Sequence, residues 1–163
     1  MLYFKSIPFP ENLTQIDLEN ALRKQSLKRT SSLDFKSCTS DMGKDRLFLG
    51  LDRKKDLQFT RLKTSFEVLL PKMIIKLSKD SLVKEYKVRL SAIPLSVAFV
   101  LCFGIFANIV ALFTGKGSLD SIILIAALSL IFIGLVALEL KLVKGNIDKA
   151  VISYEKQLST AEY

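Results

Sequence analysis

No histidine occurs anywhere in the chain. That absence removes the commonest general base, the usual catalytic zinc ligands and every Ser-His-Asp or Cys-His arrangement. Cysteine is nearly as scarce. Cys38 lies among polar residues and Cys102 in the middle of a long apolar run, so a bond between them would need a thiol deep in an apolar phase to meet one in water. A disulfide framework is excluded, free thiols fit a reducing compartment, and Cys102 is expected to act as a small packing residue. Gly43-Lys44 lacks the glycine spacing of a phosphate loop. Asp41, Asp45, Asp52 and Asp56 are close in sequence, but they sit among Lys44, Arg46, Arg53, Lys54 and Lys55, which suits turn and strand-edge roles better than metal ligation. Internal repeats and low-complexity tracts are also lacking. Met1 to Pro10 has no basic stretch followed by an apolar one, so no cleaved signal peptide is expected. Catalytic, cofactor-binding and metal-ligating residues are therefore expected to be none, and the chain reads as a non-enzymatic protein.

Long apolar runs are what the sequence has instead. Ile93 to Phe113 carries no charge, and Leu119 to Leu138 carries only Asp120, in its first turn. At about 1.5 Å rise per residue, each run spans roughly the 30 Å of a bilayer's hydrocarbon core. Leu, Ile, Val and Phe number 12 in residues 94 to 113 and 13 in residues 119 to 138. At roughly −0.3 to −0.6 kcal/mol each near the bilayer centre, either run gains about 4 to 8 kcal/mol on insertion. The residues between, 114 to 118, leave room only for a tight helical hairpin. Ser91 can cap the first helix, Pro94 sits harmlessly in its first turn and Gly115 suits its end; Ser118 can cap the second. The expected organisation is a cytosolic α+β domain over 1–91, a transmembrane hairpin over 92–140 and a cytosolic amphipathic tail helix over 141–163.

Charge is segregated to match. Residues 1–91 hold 19 Lys or Arg against 11 Asp or Glu, a surplus of eight that equals the +8 of the whole chain. Near a membrane such an excess means attraction to anionic headgroups, at about 1 kcal/mol per basic residue close to the surface. Nucleic acid is a disfavoured partner, because no recognition module accompanies the charge. Lys79, Lys84, Lys87 and Arg89 precede the first run, and Lys141, Lys144 and Lys149 follow the second, whereas the turn between them has only Lys116. The positive-inside rule puts both termini in the cytoplasm of a two-pass cell-membrane protein. Lys84, Lys87, Arg89, Lys141 and Lys144 are the expected headgroup contacts. The Asn12-Leu13-Thr14 glycosylation triplet would matter only if residues 1–91 were lumenal.

Before the first run, the spacing predicts a helix over 10–28, opened by Pro10 and Asn12, with Thr14 and Asp17 as a capping box and Ile16, Leu18, Ala21 and Leu22 as an apolar stripe. From Leu33 to Leu90 the period shortens to two. Leu47, Leu49 and Leu51 alternate, the Asp52 to Asp56 stretch turns the chain, and Leu57, Phe59 and Arg61 resume. Met73, Ile75 and Leu77 face one way, a turn follows at Lys79-Asp80-Ser81, and Leu82, Tyr86, Val88 and Leu90 return as an antiparallel partner. About five antiparallel strands are expected, as a small sheet or half-open barrel whose apolar face the helix covers. After Leu138, Gly145-Asn146 is expected to hinge the chain. Ile147, Ala150, Val151, Tyr154 and Leu158 then line one face of a helix that can dock on the sheet.

Within the apolar runs, Asn108 is expected to seek a hydrogen bond across helices. Gly104, Ala107 and Ala111 lie along a related face, with Ala126, Ala127 and Gly134 as receiving positions, for packing within the hairpin or between copies of the chain. No charge lies deep in either run, which disfavours a proton relay or ion transporter.

Phe48-Leu49-Gly50, Phe59-Thr60-Arg61, and Ser65-Phe66 leading to Pro71, followed by a hairpin of two transmembrane helices and Glu139, resemble a widespread group of small uncharacterised bacterial membrane proteins with a cytosolic β-rich domain before a helical hairpin. The resemblance covers roughly residues 45 to 140 and implies a bacterial inner membrane. More distantly, the layout is similar to bacterial defence effectors that join a small β-barrel to transmembrane helices. Three functional expectations follow. The first is a non-enzymatic membrane protein whose basic domain binds a partner, lipid or small signal, with the hairpin as anchor and self-association element. The second is a membrane-perturbing or pore-forming effector activated through that domain, and the third an accessory subunit of a larger membrane complex.

Overall fold

Thr14 opens the first helix as its spacing to Asp17 predicts. Its hydroxyl oxygen accepts the Asp17 N–H at 3.2 Å, and the Asp17 carboxylate accepts the Thr14 N–H at 3.2 Å, a reciprocal capping box. In the computed structural model, which describes residues 3–9, 14–29, 31–35, 46–80, 85–115 and 117–161, helix α1 spans Gln15–Lys24. It buries Leu18, Ala21 and Leu22. Ile16, expected on the same stripe, is 67% exposed, because two helical steps turn it about 200° away from Leu18.

The helix expected to reach residue 28 stops short. The Gln25 carbonyl accepts the N–H groups of Leu47 and Phe48 at 3.0 and 3.1 Å, which draws the chain into a sheet instead. Among the described residues six strands result: β1 (Lys5–Pro8), β2 (Ser26–Arg29), β3 (Phe48–Asp52), β4 (Asp56–Arg61), β5 (Met73–Ser78) and β6 (Glu85–Leu90). Their order across the sheet is β1-β6-β5-β4-β3-β2. Every pairing is antiparallel except β2 with β3. The architecture is α+β as expected, but the sheet is mixed and open, with short edge strands at both sides rather than a half-open barrel. Those two strands, four residues each, are too short for an alternating pattern to announce them.

Both faces of the central strands are covered, and every position of β4 is buried. On one face Phe48, Leu57, Phe59, Met73, Ile75, Leu77, Tyr86 and Val88 pack under α1 and under Val143, Ile147, Ala150 and Val151 of the last helix. The register sets Phe59 between Gly50 and Ile75. A Cβ on Gly50 would stand 2.9 Å from Ser26 Oγ and 3.1 Å from the Phe59 ring, so the ring lies where any side chain would be. On the other face Leu49, Leu51 and Ile74 are closed over by Leu33.

Helices α2 (Ala92–Phe113) and α3 (Leu119–Ala161) follow. Gly115 takes φ +70° in the turn, and Ser118 Oγ accepts the Ser121 N–H at 3.3 Å as the expected cap. At Ser91 the cap is backbone only: Leu95 N–H reaches the Ser91 carbonyl at 3.1 Å, while the Ser91 N–H donates to Lys72 O at 2.9 Å. Both helices are long and apolar enough to cross a membrane, and their apolar windows are not buried within the protein at all. Core helices of a water-soluble fold would be buried, so these are candidate spans of a two-pass membrane protein.

The expected hinge at Gly145-Asn146 is absent. Helix α3 runs unbroken for 43 residues, about 65 Å at 1.5 Å per residue. A mid-helix glycine costs about 1 kcal/mol relative to alanine. Docking of Val143, Ile147, Ala150 and Val151 on the sheet, all buried, outweighs that cost. Of the residues expected to dock there, Ile147, Ala150 and Val151 do so, with Tyr154 partly buried beside them. One helix therefore supplies the second candidate span and a cover of the sheet.

Candidate functional site at the junction of sheet and hairpin

On β4 the alternation Leu57, Phe59, Arg61 continues an apolar row with a guanidinium. The last of the three thus faces the helices, at the end of the strand nearest the candidate spans. On α3, Glu139 falls four residues before Val143 and three after Val136, on the stripe that turns toward the sheet. These two placements bring a charge from each side to the seam. Arg61 Nη2 lies 2.8 Å from Glu139 Oε2 and Arg61 Nε 3.3 Å from Oε1, a forked pair. Arg61 is 3% and Glu139 1% exposed.

Two further groups complete the cluster. Lys63 Nζ stands 3.7 Å from Glu139 Oε1 and donates to the Leu70 carbonyl at 2.5 Å. Glu67, on the 3-10 turn Ser65–Leu69, meets Arg61 Nη1 at 2.8 Å and accepts the Thr64 N–H at 2.9 Å. Burial alone would make Arg61 a weaker base, but the hydrogen bonds it donates to Glu139 and Glu67 outweigh it and hold the guanidinium above its ordinary pKa. Burial likewise pushes Glu67 up, and Thr64 N–H and Arg61 overcome that push, leaving its carboxyl below the usual range. Two cations and two carboxylates balance in a desolvated seam, where loss of one partner strands the others.

A second forked pair lies across the sheet. Arg89, on the face of β6 opposite the helices, holds Asp34 through Nη1 at 2.8 Å and Nη2 at 2.9 Å. The Arg89 guanidinium, foremost, holds the Asp34 carboxyl below its usual range, and the Ala92 N–H at the start of α2 adds to this. The carboxylate thus sits at the positive end of a candidate span's dipole.

Between these pairs opens a cavity of about 420 Å³. Lys63, Lys72, Asp34 and Ser91 line it together with Val97, Phe132 and Leu135 of the two long helices. Phe35, Val68 and Leu69 stand exposed around it, and Phe66 beside them is 96% exposed.

The residues singled out from sequence fall differently from expectation in several places. Arg89, expected at lipid headgroups, is 4% exposed and committed to Asp34, because its strand position points it into the cover around Leu33. Lys87 and Lys141 are exposed, and Lys144 is partly so. Asn108 does not reach across the hairpin: its amide donates to the Gly104 carbonyl of its own helix at 2.9 Å, as Ser129 Oγ does to Ile125 O at 2.8 Å. Gly104 does face α3, with Ile125 Cδ1 at 3.4 Å from where a Cβ would be, and Ala111 shares that side. Ala107, Ala126, Ala127 and Gly134 lie on outward faces and do not pack within the hairpin. Cys102 also faces outward instead of packing. Asp52 pairs with Arg23 at 2.8 Å and Lys79 at 2.6 Å, and Asp56 with Lys76 at 3.5 Å, in turn and strand-end roles. Among the described residues no three carboxylates or thiols come together as metal ligands. Pro10, Asn12, Cys38, Asp41, Gly43, Lys44, Asp45, Ser81, Leu82, Lys84 and Lys116 lie outside the described residues, as does the Leu158 side chain.

The charged seam itself was not anticipated from sequence. Its signal was partial: Phe59 and Lys63, one strand period to either side of Arg61, are both buried, and Val143, one helical turn after Glu139, is buried too, whereas Arg89 follows the exposed Lys87. Comparison with models of protein families, with curated proteins and with solved structures finds no match.

Proposed function

We propose that the chain is a non-enzymatic, two-pass integral membrane protein whose basic cytosolic domain receives a partner, lipid or small signal, and whose hairpin is at once its anchor and its response element. The observation that carries this reading is α3: one continuous helix belongs to both parts and is clamped where they meet, with Glu139 between Arg61 and Lys63. A passive tether needs no such clamp, since a flexible linker would hold a domain at a membrane equally well. A clamped rod makes orientation of the spans and orientation of the sheet one variable.

Both termini are cytoplasmic in this proposal, from the excess of lysine beside the spans over that in the turn. The bilayer is the bacterial inner membrane that the sequence resemblance implies. The test has two arms. The protein should resist alkaline carbonate extraction, and protease should cut the sheet domain in inside-out vesicles but not in intact cells. Spin labels at Ile123 and Ile152, both exposed on α3, should then report one fixed distance across the boundary. A broad distance distribution, or release by carbonate, defeats the proposal.

A second reading is favoured by the outward small residues. Ala107, Ala126, Ala127 and Gly134 let helices of neighbouring copies approach closely. On that reading the protein is an effector whose assembled hairpins permeabilise the membrane. Overproduction should then collapse membrane potential, and Gly134→Leu should relieve it; harmless overproduction at high membrane density refutes it.

A further inference from the structure

The two ends of the sheet are finished in opposite chemistry. At the end far from the candidate spans, β3 turns into β4 through Asp52-Arg53-Lys54-Lys55-Asp56, every residue charged. At the near end, β4 is joined to β5 through residues 62–72, which include the 3-10 turn Ser65–Leu69. The register fixes which end is which: Met73, where β5 begins, pairs with Leu90, where β6 ends, and α2 starts at Ala92. The connection from β4 to β5 therefore leaves the sheet beside the first helix.

That turn is arranged the wrong way round for a surface in water. None of its residues is buried. In a 3-10 helix, side chains three residues apart lie in line, so Phe66 and Leu69 form one edge, and they are 96% and 85% exposed. Glu67, between them, turns toward the protein: its carboxylate meets Arg61 Nη1 at 2.8 Å and accepts the Thr64 N–H at 2.9 Å. The charged side chain is tied down and the apolar ones project, a pattern that marks an interaction surface.

The place of this edge says what covers it. Val68 and Leu69 line the same cavity as Ile93 and Val97 of α2 and Phe132 and Leu135 of α3, so the apolar surface of the turn continues into that of both candidate spans. Ile93 is itself 61% exposed, and Val97 lies about 7.5 Å along the helix axis from Ala92, at 1.5 Å per residue. The medium that surrounds the first turns of α2 therefore reaches Leu69, and with it Phe66 on the same edge. The boundary between headgroups and acyl chains takes in such side chains, and the basic surplus of residues 1–91 suits anionic lipid there.

We infer that Ser65–Leu69 is a third membrane contact, with Phe66 and Leu69 inserted among the acyl chains next to the headgroups of the leaflet in which α2 begins. The inference rests on the two-pass reading above and names the surface by which the basic domain meets lipid. Glu67 ties the turn to Arg61, and Arg61 is paired with Glu139, so the depth of the turn in the leaflet is coupled to the clamp on α3.

The chain has no tryptophan, so a single introduced one is the sole indole fluorophore. The test uses the full chain in vesicles of phosphatidylcholine and phosphatidylglycerol. Phe66→Trp should emit to the blue of indole in water and resist quenching by iodide. It should lose more emission to lipid brominated near the headgroup end of its chains than to lipid brominated near the methyl end. Phe103→Trp, in the middle of α2, should show the opposite order. Lys54→Trp, exposed in the charged far turn, should be quenched by iodide and by neither lipid. Leu69→Trp carries the test if the larger ring at position 66 disturbs the turn. Iodide quenching of Phe66→Trp and Leu69→Trp as strong as that of Lys54→Trp overturns the inference. So does protection from iodide without quenching by either lipid, the sign of a second copy or another protein seated on the turn. Phe103→Trp separates the two failures: quenched by the deeper bromine while the turn is not, it leaves this contact alone refuted; untouched by both lipids, it takes the two-pass reading down as well.

Discussion

Glu139→Gln is the substitution on which the coupling argument can be tried most directly. It keeps the size and one hydrogen-bonding oxygen but removes the charge that Arg61 and Lys63 share, leaving both cations in a seam where Arg61 is 3% exposed. Breaking a buried ion pair by removing one partner costs about 3 to 5 kcal/mol. Two features place this case at the lower end. Glu67 remains 2.8 Å from Arg61, and Lys63 keeps the Leu70 carbonyl at 2.5 Å. For a chain of this size, about 3 kcal/mol corresponds to a fall in Tm of roughly 6 to 12 °C. The assay is thermal unfolding of the purified protein in detergent, followed by circular dichroism, with limited proteolysis of α3 beyond residue 139. Salt should change the result little, since a pair this buried is poorly screened. Pairing Glu139→Gln with Arg61→Gln completes a double-mutant cycle, in which the second loss should be smaller than either alone by about 0.5 to 3 kcal/mol. A Tm within about 1 °C of wild type, or strict additivity in the cycle, refutes the claim that this pair fastens the spans to the sheet.

Other outcomes can be checked separately. Asp34 is held below its ordinary pKa by Arg89, so the stability it contributes is present above the unfolded value near pH 4 and is lost as pH falls through the folded one. Asp34→Asn should therefore lower stability at neutral pH and flatten the acid limb of a stability-against-pH curve. Gly50→Ala should destabilise by about 1 to 3 kcal/mol through overpacking, because its Cβ would press on Ser26 and on the Phe59 ring; denaturant unfolding measures it. Gly104→Leu should part α2 from α3 at Ile125 and raise amide exchange along α2. Asn108→Leu, which removes only a bond within its own helix, should leave that exchange near wild type.

Legibility differed by region for physical reasons. The hairpin bounds were readable because twenty apolar residues in a row leave few alternatives, and the Thr14 box because its partner lies three residues away in sequence. Strands β3 to β6 were readable from alternation, and the docking of Ile147, Ala150 and Val151 from their helical spacing. Strands β1 and β2 were not, since four-residue edges owe their form to partners 22 to 83 residues away, as Ser26 with Phe48 and Lys5 with Val88 show. Gly145-Asn146 looked like a hinge because local propensity is visible in sequence and tertiary docking is not. Arg89 and Glu139 looked like surface charges for a related reason: a charge beside a membrane run is ordinarily a headgroup contact, and only their partners Asp34 and Arg61, 55 and 78 residues distant, reveal that both are interior.

On the proposed two-pass reading, the unbroken 43-residue rod also sets how this protein meets bilayers of differing thickness. A helix joined to its domain by a loop can slide along its own axis until its apolar length matches the oil around it. Here sliding by even one residue, about 1.5 Å, would drag a carboxylate away from two cations and unseat four docked side chains. The helix pair must lean instead, and because the rod is shared, the sheet tips by the same angle: membrane thickness is written into the attitude of the domain beneath it.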